Sequence, residues 1–320
     1  MSLTLLSTML RAGIQRLAAR RLYSSDAAYN FEALDKWIAS PKQYILNDTL
    51  HPEHLSDLYV TLPTRDGIRK PFHAPEPSTP MGYGHHTTFF YPRIPEPFLR
   101  RDGTDADFCP PEPFTRRMWA GGKISWMAGN PLLIGGKATA KMTIGSVEKK
   151  NFDRGRPIVF VNKKIEISME DSAVPSVVEE RVHVYLPVAA TVKKEPRQVP
   201  GIPNSSDFSF TYKPTLTTLF RFSALTFNAH HIHLDKDYVR NFEGYPERLV
   251  HGPLTALMML ETATEQNPGV EIKTFEYQAT NPLIVNRQHT IFGQWTGDKA
   301  FMWCQDEDGV VGMTGTVIFD

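Results

Sequence analysis

Apolar positions along this chain change their spacing more than once. In Phe31–Ile38 they fall at helical intervals (Phe31, Leu34, Trp37, Ile38), which predicts a helix. Asn47-Asp48 and Pro52 introduce a second short helix over His54–Val60. Residues 61–117 are rich in proline and show no clear period. Within them, Met81–Pro92 is dense in aromatic and histidine side chains, and reads as a buried turn of helix or as a pocket wall. Burial is the usual fate of such a run. Further on the period shortens to two. Arg117–Trp126, Lys137–Lys149, Ile158–Met169 and Val177–Leu186 alternate and carry many β-branched residues, which predicts four strands. Gly135-Gly136 and Asp153–Pro157 supply turns between them.

Residues 187–208 offer no apolar face, and Pro200-Gly201 and Pro203–Ser206 mark a linker. A boundary near Ser205 divides 24–204 from 205–320. The second part repeats the plan of the first. Phe208–Tyr212 is a strand and Pro214–Phe222 begins a helix. Pro253–Thr264 is apolar on every side, which predicts a buried helix. Val270–Ala279, Gln288–Trp295, Ala300–Gln305 and Val310–Phe319 then read as strands, with Thr296–Asp298 and Asp306–Gly309 as turns. A buried helix followed by an antiparallel sheet is α+β, with the sheet wrapped round the helix. The element order suggests this arrangement twice, although the halves share no clear residue-level similarity.

Composition narrows the function classes. Thirty-five basic and 35 acidic residues give zero formal charge, which offers nothing to a nucleic acid. Two cysteines, Cys109 and Cys304, form no metal or disulfide pattern. Residues 1–23 differ from the rest. Arg11, Arg16, Arg20 and Arg21 lie among Leu, Ala and Ser, and no acid precedes Asp26. This is the pattern of a mitochondrial transit peptide, cleaved near Tyr23. No run is long and apolar enough to span a membrane.

Proton-transfer chemistry concentrates in Leu219–Glu261, which holds Asn228, His230, His231, His233, Asp235 and, at a helix start, Val250-His251-Gly252-Pro253. Histidine is the side chain best suited to move protons near neutrality. In an extended loop, His231 and His233 would point to one side and His230 to the other. Pro253 suits a first helical turn. The Gly252 N–H beside it can hold a developing oxyanion. Base, polar partner and oxyanion donor together suit proton abstraction alpha to a carbonyl. A His231/His233/Asp235 metal site is a minor alternative. Arg221 could pair with Asp235 or reach a substrate anion. Arg116, Arg117, Arg154 and Arg156 could meet an acidic carrier or CoA phosphates, or simply form a solvated face.

The stretch Phe222-Ser223-Ala224-Leu225-Thr226-Phe227-Asn228-Ala229-His230, continuing to Ile232-His233-Leu234-Asp235 and His251-Gly252, resembles the MaoC-like, (R)-specific hydratase/dehydratase family of hot-dog proteins. That family carries Gly-Asp-x-Asn-Pro-Leu-His-x-Asp, then a His-Gly at the start of its central helix. Anchoring on His233-Leu234-Asp235, the resemblance puts the catalytic histidine at His233. The catalytic acid falls on Asn228 and the family's asparagine on His230. An alternative alignment uses Thr226 and His231. Tyr91–Pro95 and Arg117–Gly122 also look like a subgroup with fungal mitochondrial 3-hydroxyacyl-thioester dehydratases and bacterial mesaconyl-CoA hydratases.

The resemblance implies a double hot-dog fold and dehydration of (3R)-3-hydroxyacyl thioesters in mitochondrial type II fatty acid synthesis. Residues 205–320 would be catalytic and 24–204 would widen the groove. His233, Asn228, His230 and Gly252 would form the catalytic set, with Arg221, His251 and Pro253 binding substrate. The thioester would be carried by acyl carrier protein or CoA, without metal or redox cofactor, in a protein that could be a homodimer. An amide at position 228 cannot act as a base, so a histidine must. A dicarboxyl-CoA hydratase and a non-catalytic thioester-binding protein are the other readings.

Overall fold

The computed structural model describes residues 31–187 and 195–320. The arginine-rich stretch 1–23 and the linker lysines Lys193 and Lys194 lie outside the described residues. The chain divides into two units, Met1–Ala39 and Ser40–Asp320. The first contains α1 (Glu32–Ala39), close to the predicted helix. The second unit carries everything that follows.

It begins with β1 (Gln43–Thr49) and α2 (Pro52–Tyr59). Residues 61–115 have no long element, only two tight 3₁₀ turns at His85–Thr88 and Glu96–Phe98. Then come β2 (Arg116–Trp126), β3 (Lys137–Lys150), β4 (Ile158–Met169) and β5 (Val177–Leu186). After residue 195 the order is β6 (Phe208–Tyr212), α3 (Leu216–Leu225), α4 (His231–Leu234) and α5 (Gly252–Gln266). The chain closes with β7 (Ile272–Ala279), β8 (His289–Thr296), β9 (Lys299–Asp306) and β10 (Val311–Phe319). All strands join one sheet in the order β1-β3-β4-β5-β2-β7-β10-β9-β8-β6, and every pairing is antiparallel.

The seam between early and late strands is the β2–β7 pair, with Gly121 opposite Gln278 and Gly122 opposite Tyr277. Two glycines are needed there for space. A Cβ on Gly121 would come within 2.4 Å of the Tyr277 carbonyl oxygen, and one on Gly122 within 2.3 Å of the Glu180 carbonyl oxygen. Gly121 also lies at a bulge in the β2–β5 register, where backbone approaches backbone.

Helix α5 is buried without interruption from Leu254 to Ala263, as a helix apolar on every side must be. It shares one hydrophobic cluster with Phe210, Phe275, Ile291, Met302 and Val317 of the later strands. Leu55, Leu58 and Leu62, at and just after α2, join the same cluster beside Ile124, Ile165 and Ile167. The halves are unequal in their helices. Among the described residues, the early half has only the eight-residue α2 where the late half has α5. The reason is in the chain: Pro63, Pro71, Pro75, Pro77, Pro80, Pro92, Pro95 and Pro97 forbid a long helix over 61–115.

One charge sits inside this core. Glu261 of α5 is 4% exposed. Its carboxylate accepts hydrogen bonds from His85 Nε2 at 2.8 Å, Arg65 Nε at 2.7 Å and Thr64 Oγ1 at 2.8 Å. A carboxylate only accepts, so His85 carries its proton on Nε2. Its Nδ1 is buried with no partner, and burial lowers the imidazole pKa, so the ring is neutral. Burial alone would raise the Glu261 pKa, but the His85 and Arg65 contacts outweigh it and hold the carboxyl at about 2. Glu261→Ala would leave these donors unmatched in the core. It is expected to cost about 3 kcal/mol in urea unfolding at neutral pH. The wild-type contribution is fully present above pH 4.5, the ordinary value, and is lost as pH falls toward 2. The gap between wild type and Glu261→Ala should therefore narrow through that acid window.

Candidate active site

The site is built where α3 ends. Thr215 caps the helix, its Oγ1 accepting the Thr218 N–H while Thr218 Oγ1 accepts the Thr215 N–H. The chain leaves α3 through Phe227, which takes a left-handed backbone with φ 48°. The Asn228 N–H then donates to the Ser223 carbonyl at 2.8 Å, and Asn228 Oδ1 accepts the His230 N–H at 3.1 Å. The His231 N–H donates to the Asp102 carbonyl at 2.8 Å. That contact requires Gly103: a Cβ there would sit 2.2 Å from the Ala229 carbonyl oxygen.

These anchors make residues 231–234 a single helical turn, not the extended loop expected from sequence. The turn changes which histidines meet. In an extended chain His231 would join His233. In the turn, His230 and His233 come together, with ring centroids 5.6 Å apart and edge to face. His231 packs instead against Tyr238. Asp235 Oδ1 accepts the backbone N–H groups of Asp237 and Tyr238. His231, His233 and Asp235 are thus held by separate partners, and among the described residues no three His, Cys, Asp or Glu side chains converge as metal ligands would.

His233 is held from two sides. Its ring stacks on His251 at 3.6 Å between centroids. Its Nδ1 lies 2.8 Å from the Leu249 carbonyl oxygen, which can only accept, so Nδ1 bears the proton. Nε2 is then an unprotonated lone pair with no hydrogen-bond partner among the described residues. Burial pushes the His233 pKa down to about 4; the Leu249 bond opposes this and the Arg117 charge adds to it. His230 and His251 are also held well below the ordinary value, first by burial and then by the neighbouring histidine. All three rings are neutral near pH 7. His251 Nε2 pairs with Ser223 Oγ at 2.9 Å, while its Nδ1 is buried and unpartnered.

His251 is the N-cap of α5, so Gly252 is the first helical residue and its N–H has no intrahelical acceptor. Pro253 follows at the position where a missing N–H costs nothing. Gly252 packs close to Trp119, whose ring atoms would lie 3.3 Å from an added Cβ.

A cavity of about 700 Å³ opens beside this cluster. Asn228, His251 and Pro253 line it, with Ser223 and His231. His230 and His233 stand behind that lining. Arg221 does not reach the cavity; it is exposed and donates to the Val60 carbonyl at 3.4 Å. Phe89, Phe90 and Tyr91 form part of an apolar wall, and Phe89 and Phe90 are also core residues, so the aromatic stretch serves both purposes. Opposite the apolar wall, the sheet presents Arg117, Lys163, Arg181 and His183. Sequence reasoning did not place Ser223, Lys163, Arg181 or His183 in the site. It grouped Arg117 with Arg116, Arg154 and Arg156 as cations for an acidic carrier or CoA phosphates, or as a solvated face. Arg116 is in fact half-buried in an ion pair with Glu243 at 2.6 Å, and Arg154 is exposed.

The hydroxyacyl-thioester dehydratase type 2 family model matches residues 84–285. The chain is 33% identical over 253 residues to a mesaconyl-C(4)-CoA hydratase of Chloroflexus aurantiacus, covering 78% of this chain and 88% of that protein. It is 26% identical over 245 residues to the mitochondrial hydroxyacyl-thioester dehydratase type 2 of Schizosaccharomyces pombe, covering 69% and 80%. A MaoC-like dehydratase from Phytophthora capsici superposes with a TM-score of 0.61 at 14% identity, over 91% of this chain and 99% of that one. A Mycobacterium tuberculosis protein described as a double hotdog fold gives 0.53 at 11% identity, over 89% and 98%. The fold is the α+β double hot-dog, and the chain, a hydro-lyase, belongs to the hydroxyacyl-thioester dehydratase type 2 family.

Proposed function

We propose that this chain interconverts (3R)-3-hydroxyacyl thioesters and trans-2-enoyl thioesters, with His233 moving the proton. The observation that carries this reading is the bond from His233 Nδ1 to the Leu249 carbonyl, which leaves Nε2 as a fixed, unprotonated base beside the start of α5. In dehydration, Nε2 takes the proton from C2. Electron density moves to the thioester oxygen, which the Gly252 N–H and the positive end of α5 stabilise. The C3–O bond then breaks, and Nε2–H returns the same proton to the departing hydroxyl, which leaves as water. Hydration is the reverse. Asn228 spends its Oδ1 on the His230 N–H, so its amide N–H₂ is free to orient the hydroxyl. His251 and Pro253 flank the thioester, and His230 backs His233.

The finer reading sets this reaction in mitochondrial type II fatty acid synthesis, on acyl groups borne by acyl carrier protein. It rests on the arginine-rich N-terminal sequence and the likeness to the fission-yeast relative. In it, residues 205–320 supply the catalytic groups, 24–204 widen the acyl groove, and two chains could pair as a homodimer. A second reading gives the same step a short dicarboxyl thioester, as the name of the Chloroflexus relative suggests; the cations in the cavity favour it.

Purified protein should hydrate trans-2-enoyl-CoA, followed by loss of the enoyl-thioester absorbance. His233→Ala should lower kcat/KM roughly 100- to 10,000-fold; near-full activity would reject the assignment. Because the base must be unprotonated and its pKa is held at about 4, kcat/KM should stay level as pH drops past 6.5 and fall only near 4. A fall centred on 6.5 would mean that another group carries the proton. For the compartment, residues 1–30 fused to a fluorescent reporter should direct it to mitochondria, and a diffuse signal would overturn that part.

A further inference from the structure

The cavity has a charged floor that the proton-transfer step does not use. Strands β4, β5 and β2 are neighbours in the sheet. Lys163 pairs with Arg181, His183 with Trp119, and Tyr185 with Arg117. Alternation along β5 sets Arg181, His183 and Tyr185 on one face, and their cross-strand partners Lys163, Trp119 and Arg117 stand on that face with them.

These cations differ in how well they are matched. Arg181 is satisfied: it makes two hydrogen bonds to Glu179, which also accepts from His86, and it covers the Trp119 ring. Arg117 is not. Its side chain is 15% exposed, and its nearest carboxylate, Asp105, is 3.8 Å away, beyond hydrogen-bond range. Among the described residues none accepts a hydrogen bond from its guanidinium. Lys163 likewise has neither a hydrogen bond nor an ion pair among them; the Phe108 ring lies 5.5 Å from its ammonium, and Asp105 and Asp107 act on it only at longer range. His183, between them, has a buried Nδ1 with no partner. The acids nearby do not close this gap. Asp107 accepts from the Tyr44 hydroxyl at 2.6 Å, and Asp105 accepts the Asp107 N–H at 3.1 Å.

Two desolvated cations with unused donors, lining one cavity from strands on either side of β5, are costly unless an anion completes them. Burial first, then the Arg181 and Arg117 charges, bring the Lys163 pKa down to about 8, with Asp105 acting the other way. A planar guanidinium and a point-charge ammonium reaching into one cavity suit a carboxylate. The Arg117 charge is felt by both His230 and His233, so an anion held there sits a short way from the reacting carbons.

We propose that Arg117 and Lys163 form a carboxylate site at the acyl end of the cavity, and that the preferred substrate is a short acyl thioester carrying a second carboxylate. This rests on the hydratase reading above and selects the acyl group for it. Thioester, C2 and C3 lie against His251 and Pro253, the cavity-lining neighbours of His233 and Gly252, and the distal carboxylate at Arg117 and Lys163. A long alkyl chain would instead bury its apolar end against unmatched cations.

The test compares trans-2-butenedioyl-CoA with trans-2-butenoyl-CoA, which differ only in carboxylate against methyl. The wild-type chain should favour the first by at least about tenfold in kcat/KM. Arg117→Met and Lys163→Met should each reduce that ratio about tenfold or more, whatever happens to the absolute rates. Lys163→Arg should keep it. Lys163 has no hydrogen bond to lose, so Lys163→Met keeps the test decisive if Arg117→Met fails to fold. The same preference in pantetheine thioesters, which lack the CoA phosphates, would fix the bound anion as the acyl carboxylate; its disappearance there would overturn the proposal in favour of a phosphate site. Turnover of both acyl groups without preference, or an unchanged ratio in both Met variants, would overturn the carboxylate site alone. No turnover of either acyl group would overturn the hydratase reading itself.

Discussion

The structure depends on keeping α5 dry. Ten consecutive buried positions, Leu254 to Ala263, leave no face of the helix for water. Something must cover every side, and one curved sheet cannot. The later strands take one side, and α3 with residues 61–91 are drawn over the rest. Glu261 shows how tightly this cover fits. A carboxylate in the core is tolerable only with its donors in place, and those donors come from residues 64, 65 and 85, in the proline-rich stretch. The charge thus pins an irregular segment to the helix where no regular element could have done so.

Burial of the helix sets up the chemistry at its start. Leu249 and Val250 are buried as the chain enters α5, so the Leu249 carbonyl is offered to His233 instead of to water. That one bond fixes the tautomer, as backbone partners of functional histidines do. The same desolvation that lowers the histidine pKa values makes three neutral rings cheaper to keep together than charged ones. An acid at position 228 would have brought a negative charge into this group. An amide does not, and its oxygen is already used to shape the turn that carries His230 and His233. The departure from the family pattern therefore fits the proposal that an uncharged imidazole carries the proton.

Much of this was legible in the chain. Strands β2 to β10 follow alternation because one face of each is buried, and their boundaries fall within a residue or two of the expected ones. The pattern is weakest where burial is partial. β1 passed unnoticed because it is an edge strand with Tyr44 and Ile45 exposed, so no period marks it. The helical turn at 231–234 was illegible for another reason. It is set by a carbonyl at Asp102 and a glycine at 103, far away in sequence. The residues of 228–233 could be picked out, but not which two would face each other. Arg116 and Arg117 show the same limit. Alternation says that neighbours on a strand point opposite ways, but not that both directions are covered.

The two halves of the hot-dog divide the work unevenly, and the division follows from where each can be polar. The late half must bury α5 completely, so its contribution to the site is confined to the helix start and the turn that meets it. Among its described residues the early half has no long helix to bury, which frees the face of β2, β4 and β5 near the seam to carry charge. Trp119 joins the two: it lies beside Gly252 on one side and under Arg181 on the other. The short α2 among the described residues of the early half thus leaves room for a cationic floor within electrostatic reach of His233. A symmetric double hot-dog with a second buried helix would have required an apolar surface there.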